Sequence, residues 1–161
     1  MTDTKVTNSP VLVAIDFSDD SRAALLWAME YARQIDVPLI LLHVVHDSTS
    51  YPGFYRQQKK GEMLPMQQVA EEMMGDFLAE TRQEFSGVDV LQPVRTELVN
   101  GLPPGRIIEM AGILKAGIIV IGNRGLTGLP HLLLGSVAER VVELSTIPVV
   151  VVKANAGKDT K

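Results

Sequence analysis

A chain of 161 residues, 46% of them apolar and 21% charged, is long enough for one packed domain and reads as an ordinary globule. A formal net charge of −4 argues against general nucleic-acid binding, which needs a basic face. The absence of cysteine excludes disulfides, thiolate nucleophiles and cysteine-ligated metals.

The polar opening MTDTKVTNSP lacks the apolar core of a secretory signal, and no apolar run approaches the roughly 18 residues of a membrane helix. The expectation is therefore a cytoplasmic protein that is not membrane-embedded. VLVAID (Val11 to Asp16) is a short continuous apolar run ending at a carboxylate, the pattern of a strand buried on both faces. Ser18 or Asp19 can cap the following helix, and Asp19 and Asp20 favour its N-terminus electrostatically. Ala24, Trp27, Ala28 and Tyr31 recur at helical spacing along it. Val37 to Val45 reads as a second buried strand, with His43 inside it as a satisfied core histidine and His46 and Asp47 at its carboxyl end.

Residues 46–65 form a long polar connection with two prolines and two glycines, of the kind that carries function or mobility. Its RQQKKG cluster (Arg56 to Gly61) reads as a solvated loop. Met66 to Phe85 is helical, with Val69, Met73 and Phe77 in one core-facing stripe. Val88 to Val99 contains Pro93, which cannot donate to a central ladder, so this strand belongs at an edge. Prolines 103 and 104 suit the start of a short helix, and Gly117 stands near its end. IIVIG (Ile118 to Gly122) is a fourth buried strand, Ser136 to Ser145 a last helix and Ile147 to Val152 a fifth strand.

Strands alternating with helices predict an α/β fold: one doubly wound domain, a five-stranded parallel sheet in the order 3-2-1-4-5, and helices on both faces. The domain runs over residues 10–153, with residues 1–9 and 154–161 as polar, disordered ends. A valine-rich last strand at the sheet edge needs a cover. The expected cover is a second copy of the chain, paired through Ile147 to Val152.

The informative stretch is GNRGLTGLPHLLLGS, Gly122 to Ser136. Ligands of open α/β sheets bind beyond the carboxyl ends of the strands, where the winding reverses. Asp16 and Gly122 both stand at such ends. The stretch is neither a Walker A loop nor a G-x-G-x-x-G fingerprint. Bare backbone at Gly122 and Gly125, and the helix N-terminus opening at Gly135 and Ser136, nevertheless suit an anion. The helix dipole amounts to about half a charge, so a triphosphate wants more, from Arg124 or a bound Mg²⁺. A structural reading stands beside this one: SVAE fits a capping box, with Ser136 capping and Glu139 returning the bond, and the glycines are then plain turn residues. His131 lies in the stretch. No His, Asp and Glu set shows metal-ligand spacing. Asp16 as a base has no nucleophile paired with it, so no catalytic residue is assigned.

The spacing Gly122-x2-Gly125-x9-Gly135-Ser136 resembles the G-x2-G-x9-G-(S/T) signature of the universal stress protein family, in its ATP-binding branch. VLVAIDFSDDSRAAL, LLHVV and GSVAERVVELSTIPVVVVK resemble that family's opening strand and turn, second strand and C-terminal end. The resemblance covers residues 10–153 apart from the region around residues 47–65. It implies a bound adenine nucleotide; ATP is the form expected, with Mg²⁺ as the cation its triphosphate wants. Asp16 would meet the adenine or ribose side, with Ala14, Ile15 and Ser18 lining that wall. Val44 would pack on adenine, Gly122, Asn123, Arg124 and Gly125 would follow ribose and phosphates, and Gly135, Ser136 and Val137 would hold the phosphates. It also implies the homodimer through the last strand. Gly117 stands where the family often has an Asp before the fourth strand. The function expected is a nucleotide-dependent regulatory switch with a protein partner and at most slow ATP hydrolysis. The alternatives are a nucleotide-free dimeric interaction module and a small-molecule nucleotide-processing enzyme.

Overall fold

The computed structural model describes residues 8–46, 58–59, 62–63, 65–85, 94–125 and 134–155. In chain order the elements are β1 (Val11–Ala14), α1 (Asp19–Ile35), β2 (Leu39–Val45), β3 (Gln58–Lys59), β4 (Glu62–Met63), α2 (Met66–Glu84), β5 (Arg95–Asn100), α3 (Pro103–Ile113), β6 (Ile118–Gly122), α4 (Ser136–Leu144) and β7 (Val149–Val152). The main sheet runs β5-β2-β1-β6-β7 and every pairing in it is parallel. This is the expected 3-2-1-4-5 order, reversing its winding between β1 and β6. The connection after β2, expected as loop throughout, contains the antiparallel pair β3–β4, with Gln58 opposite Met63.

The strands look uniformly apolar because both faces are covered, but their residues divide by parity. Val11, Val13, Ile15, Leu41 and Val120 face α1 and α2, among Leu25, Met29, Met74 and Phe77. Leu12, Ala14, Ile40, Leu42, Ile119 and Ile121 face α3 and α4, among Ile107, Met110, Ala138 and Val141. Helix stripes differ in detail from the spacing first read. α1 buries Ala24, Leu25, Ala28, Met29 and Ala32, whereas Trp27 is exposed and stacks on Tyr31 at a centroid distance of 5.0 Å. α2 buries Val69, Ala70, Met74, Phe77 and Thr81, and Met73 sits at the margin. In both helices the sheet selects one of two overlapping apolar stripes.

The punctuation is also local chemistry. Ser18 caps α1, its side chain accepting from Ser21 N at 3.1 Å. Pro103 and Pro104 open α3 as expected. The left-handed residue after α3 is Lys115 (φ 54°), not Gly117. Gly117 instead begins β6's approach: its N–H donates to Pro10 O at 3.0 Å, and a Cβ there would come within 3.0 Å of Ser9 Cβ. β5 occupies one sheet edge, as Pro93 led us to expect, although Pro93 itself lies outside the described residues.

His43 is the buried core histidine expected, 4% exposed, with Nδ1 donating to Ile15 O at 2.6 Å. Burial is the chief cause that lowers its pKa; the Ile15 carbonyl and Asp16 oppose this, and His46 adds to it. The unfolded chain therefore takes up this proton first. The stability from neutral His43 is complete above the ordinary value of 6.5 and declines as pH falls below it. His43→Gln should shrink the fall in melting temperature between pH 7 and pH 5; an unchanged fall would assign that loss to other groups.

The N-terminus of α1 presses on the end of β6. A Cβ at Gly122 would lie 2.7 Å from Asp20 C and 2.8 Å from Ser21 N, both main-chain atoms that cannot move aside singly. Gly122→Ala should cost about 1–3 kcal/mol in urea denaturation, the usual penalty of overpacking; no change would mean that α1 shifts freely.

Candidate functional site

Because β1 lies between β2 and β6, with Ala14 level with Leu42 and Ile121, the chain leaving β1 runs beside the chain leaving β6. Two segments thus meet at the carboxyl end of the sheet: Ile15 to Ser18, and Asn123 to Gly125. Ser18 N donates to Asp16 Oδ1 at 3.0 Å, and Ser18 Oγ makes a short bond to the same oxygen. Those bonds orient the carboxylate so that its other oxygen, Oδ2, faces Gly125. A Cβ at Gly125 would lie 2.8 Å from Asp16 Oδ2. Phe17, between Asp16 and Ser18, is left-handed at φ 67°, a costly conformation for an aromatic residue. Its ring lies 4.5 Å from His43 and 5.7 Å from Phe77 of α2, contacts that hold it there.

The glycines are bare first for the protein's own packing. Gly122 admits α1, Gly125 stands against Asp16, and a Cβ on Gly135 would collide with the Asn123 carbonyl and approach Arg124 Cα to 3.3 Å. Gly135 N donates to that carbonyl at 2.7 Å, which draws the start of α4 onto the end of β6. The spacing therefore builds a closed corner from three chain segments. Residues 126–133, including His131, lie outside the described residues.

That corner leaves polar groups open. The N-cap of α4 is Gly135, and no side chain caps it. The capping-box reading is therefore corrected: Ser136 is the first helical residue, one position too late to cap, and is exposed. The first bond back to the cap is Glu139 N to Gly135 O at 2.8 Å. The N–H groups of Ser136 and Val137 thus have no acceptor within the helix and stand at the positive end of its dipole. Beside them Asn123 is 1% exposed, yet neither Oδ1 nor Nδ2 has a hydrogen-bond partner among the described residues. An unmet buried amide group costs about 1–3 kcal/mol, a cost that a bound polar molecule or water would remove.

An apolar wall adjoins the corner. Ala14, Val44 and Val137 belong to one cluster with Ile121. Ile15 does not join it: its side chain enters the opposite core, while its N–H donates to Leu42 O and its carbonyl accepts from His43. Arg124 is half-buried, and its main chain is held by α1, its N–H donating to Asp20 Oδ2 at 2.8 Å. Of the other histidines and acids considered, His46 is half-buried at the end of β2 and Asp47 lies outside the described residues. Among the described residues no group of three or more His, Asp and Glu is arranged to hold a metal ion.

Two residues escaped sequence reasoning. Asp20, read as a helix-dipole carboxylate, bonds instead to Arg124 N and Ala154 N, 104 and 134 residues away. No local signal carries such a partnership. Phe17 offered only a faint signal, an aromatic residue between two polar ones in a strand-to-helix turn.

Comparison with known proteins bears on this geometry. Residues 7–153 match the profile of the universal stress protein family. A universal stress protein of Methanocaldococcus jannaschii is 33% identical over 145 residues, covering 89% of this chain and 81% of that protein. One from Bacillus subtilis is 30% identical over 154 residues, covering 89% and 97%. Among solved structures, a universal stress protein of Archaeoglobus fulgidus in complex with dAMP aligns with TM-score 0.56 and 26% identity, covering 90% of this chain and 98% of that one. The universal stress protein UspA of Lactobacillus plantarum has the same fold, with TM-score 0.65 at 24% identity, covering 90% and 97%. With its sheet order, its glycine corner and these matches together, the chain belongs to the universal stress protein family.

Proposed function

We propose that the crevice beyond β1, β2 and β6 binds an adenine nucleotide, ATP with Mg²⁺ being the form expected, and that occupancy acts as a regulatory switch. The observation that carries this reading is the corner at α4: N–H groups with no acceptor within the helix at the start of nine-residue α4, next to a buried asparagine amide with no partner among the described residues. Such a corner fits phosphate oxygens. The Archaeoglobus fulgidus relative, solved with dAMP, supports the choice of an adenine nucleotide.

In this reading Ser136 and Val137 donate main-chain N–H groups to phosphate, and Arg124 adds charge. Asp16 Oδ2 accepts from ribose or adenine, and Ala14 and Val44 pack on the base. Any Mg²⁺ would come with the phosphates, given the absence of a three-ligand cluster among the described residues. The fixed dipoles and the lack of an assigned base suit binding, with hydrolysis slow at most. Binding would fix the glycine corner, altering a surface read by a protein partner.

The homodimer belongs to the same reading. Among the described residues β7 pairs with β6 alone, its four valines are half-buried, and Val142 and Leu144 of α4 are exposed. A second copy paired along residues 147–152 would cover this edge. Sedimentation at micromolar concentration should give a dimer; a monomer would overturn that part.

The nucleotide itself is tested by titrating stripped protein with AMP, ADP and ATP, with and without Mg²⁺, beside Ser136→Pro. Proline is at home in the first position of a helix, and Gly135, at φ −68° and ψ 152°, already has the backbone that a following proline requires. The variant should keep α4 yet lose one N–H and the hydroxyl, weakening binding by at least about tenfold, or about 1.4 kcal/mol. Saturation at a hundredfold excess over Kd should stabilise the wild type by about 2.7 kcal/mol. If the wild type binds none of the three, the crevice reading fails and an interaction module of the same fold remains. Equal affinity in Ser136→Pro would place the phosphates elsewhere.

A further inference from the structure

The first turn of α1 holds the main chain of the glycine corner from both sides of one residue. Asp20 Oδ2 accepts from Arg124 N at 2.8 Å, while Ser18 Oγ lies 3.3 Å from Arg124 O. Asp20 Oδ1 accepts from a third segment, Ala154 N at 3.0 Å, just beyond the end of β7. One carboxylate therefore ties the start of α1, the exit of β6 and the exit of β7. The tie is possible because Gly122 has no side chain, which lets α1 approach β6 to main-chain contact. A parallel bond reinforces it: Asn123 N donates to Val152 O at 2.8 Å, so the two exits are already side by side.

We infer that Asp20 is a positioning residue of the nucleotide crevice, fixing the Arg124 peptide and linking its order to the chain that leaves β7. The inference rests on the nucleotide reading above. Among the described residues the Asp20 side chain bonds main-chain groups, those of Arg124 and Ala154. Its place in that reading is to set where the Asn123–Arg124–Gly125 segment stands before ligand arrives, so that less order must be gained on binding. Through Ala154 the same carboxylate carries that order to the exit of the edge strand. The bonds are charge-assisted, the stronger kind of hydrogen bond, and their three segments are distant in sequence.

The test uses the full chain, with AMP as the probe, and reads amide hydrogen exchange at Arg124 and Ala154 together with AMP affinity. Asp20→Ala removes both acceptors; Asp20→Asn keeps one acceptor oxygen and the size. In the wild type, saturation with AMP should slow exchange at both amides by about tenfold or more. In Asp20→Ala both amides should exchange faster without ligand, Ala154 should no longer respond to AMP, and affinity should fall about five- to twentyfold. Asp20→Asn should fall between, and decides the matter if Asp20→Ala does not fold. A carboxylate that served only the α1 dipole would lower the melting temperature while leaving AMP affinity and the Ala154 response intact, and that result overturns the inference. Wild-type protein that binds no AMP, ADP or ATP overturns the nucleotide reading and the inference with it. Binding that is indifferent to Asp20 overturns the inference alone.

Discussion

The approach of α1 to the end of β6 governs the rest of the molecule's polar end. With no side chain at Gly122, main-chain atoms of Asp20 and Ser21 come within contact of the strand. That closeness brings Asp20 within reach of Arg124 N and Ser18 within reach of Arg124 O. It leaves room for the next layer, where Gly135 N meets the Asn123 carbonyl and α4 begins. Each step depends on the one before it. The first N–H groups of α4, which have no acceptor within the helix, are gathered at one place because α1, the end of β6 and the start of α4 are locked together behind them.

The interior supports this corner from two sides that differ in kind. On the α3 and α4 side the crevice wall is plain apolar packing, Ala14, Val44 and Val137 with Ile121. On the α1 and α2 side the support is aromatic and strained. Phe17 stays left-handed between Asp16 and Ser18, its ring set against His43 and Phe77. Arg22 then lies 5.3 Å from the Phe77 ring centroid and pairs with Glu80 and Glu84, fastening α2 across α1. The ion pairs are partly exposed and contribute little alone. Their effect is to hold Phe77 where it backs Phe17. Backbone strain of this kind persists only when its surroundings over-determine it, and here buried rings do so.

The strand and helix pattern was legible because buried parallel strands are continuous apolar runs and the segments between them keep helical spacing. Ser18 as a cap, Pro103 and Pro104 as a helix start and His43 as a core residue were likewise local matters. Ser136 was misread as a cap by one position, since the capping-box pattern cannot tell Gly135 from Ser136 as the residue whose backbone leaves the helix. The stripes held in part: Ala24 and Ala28 of α1 and Val69 and Phe77 of α2 are buried as read, while Trp27 is exposed and Met73 lies at the margin, since alanine and methionine at adjacent spacings offer two faces and only the sheet chooses between them. Gly117 stands near the end of α3 as read, but the left-handed residue there is Lys115; the missing side chain of Gly117 leaves room for Ser9.

By itself, the amino-acid order determined the alternation of strands and helices and the sheet order, since periodicity, breakers and winding rules act over short stretches or on topology. It also marked Gly122, Gly125 and Gly135 as special. Only the tertiary structure decided why: each glycine meets atoms from a distant segment, α1, Asp16 or Asn123. It alone decided that Asp20 binds two main-chain amides and that the amide of Asn123 is buried without a partner among the described residues. Those facts arise from contacts across about a hundred residues of chain, and hydrogen-bond geometry at such separation leaves no trace in local spacing.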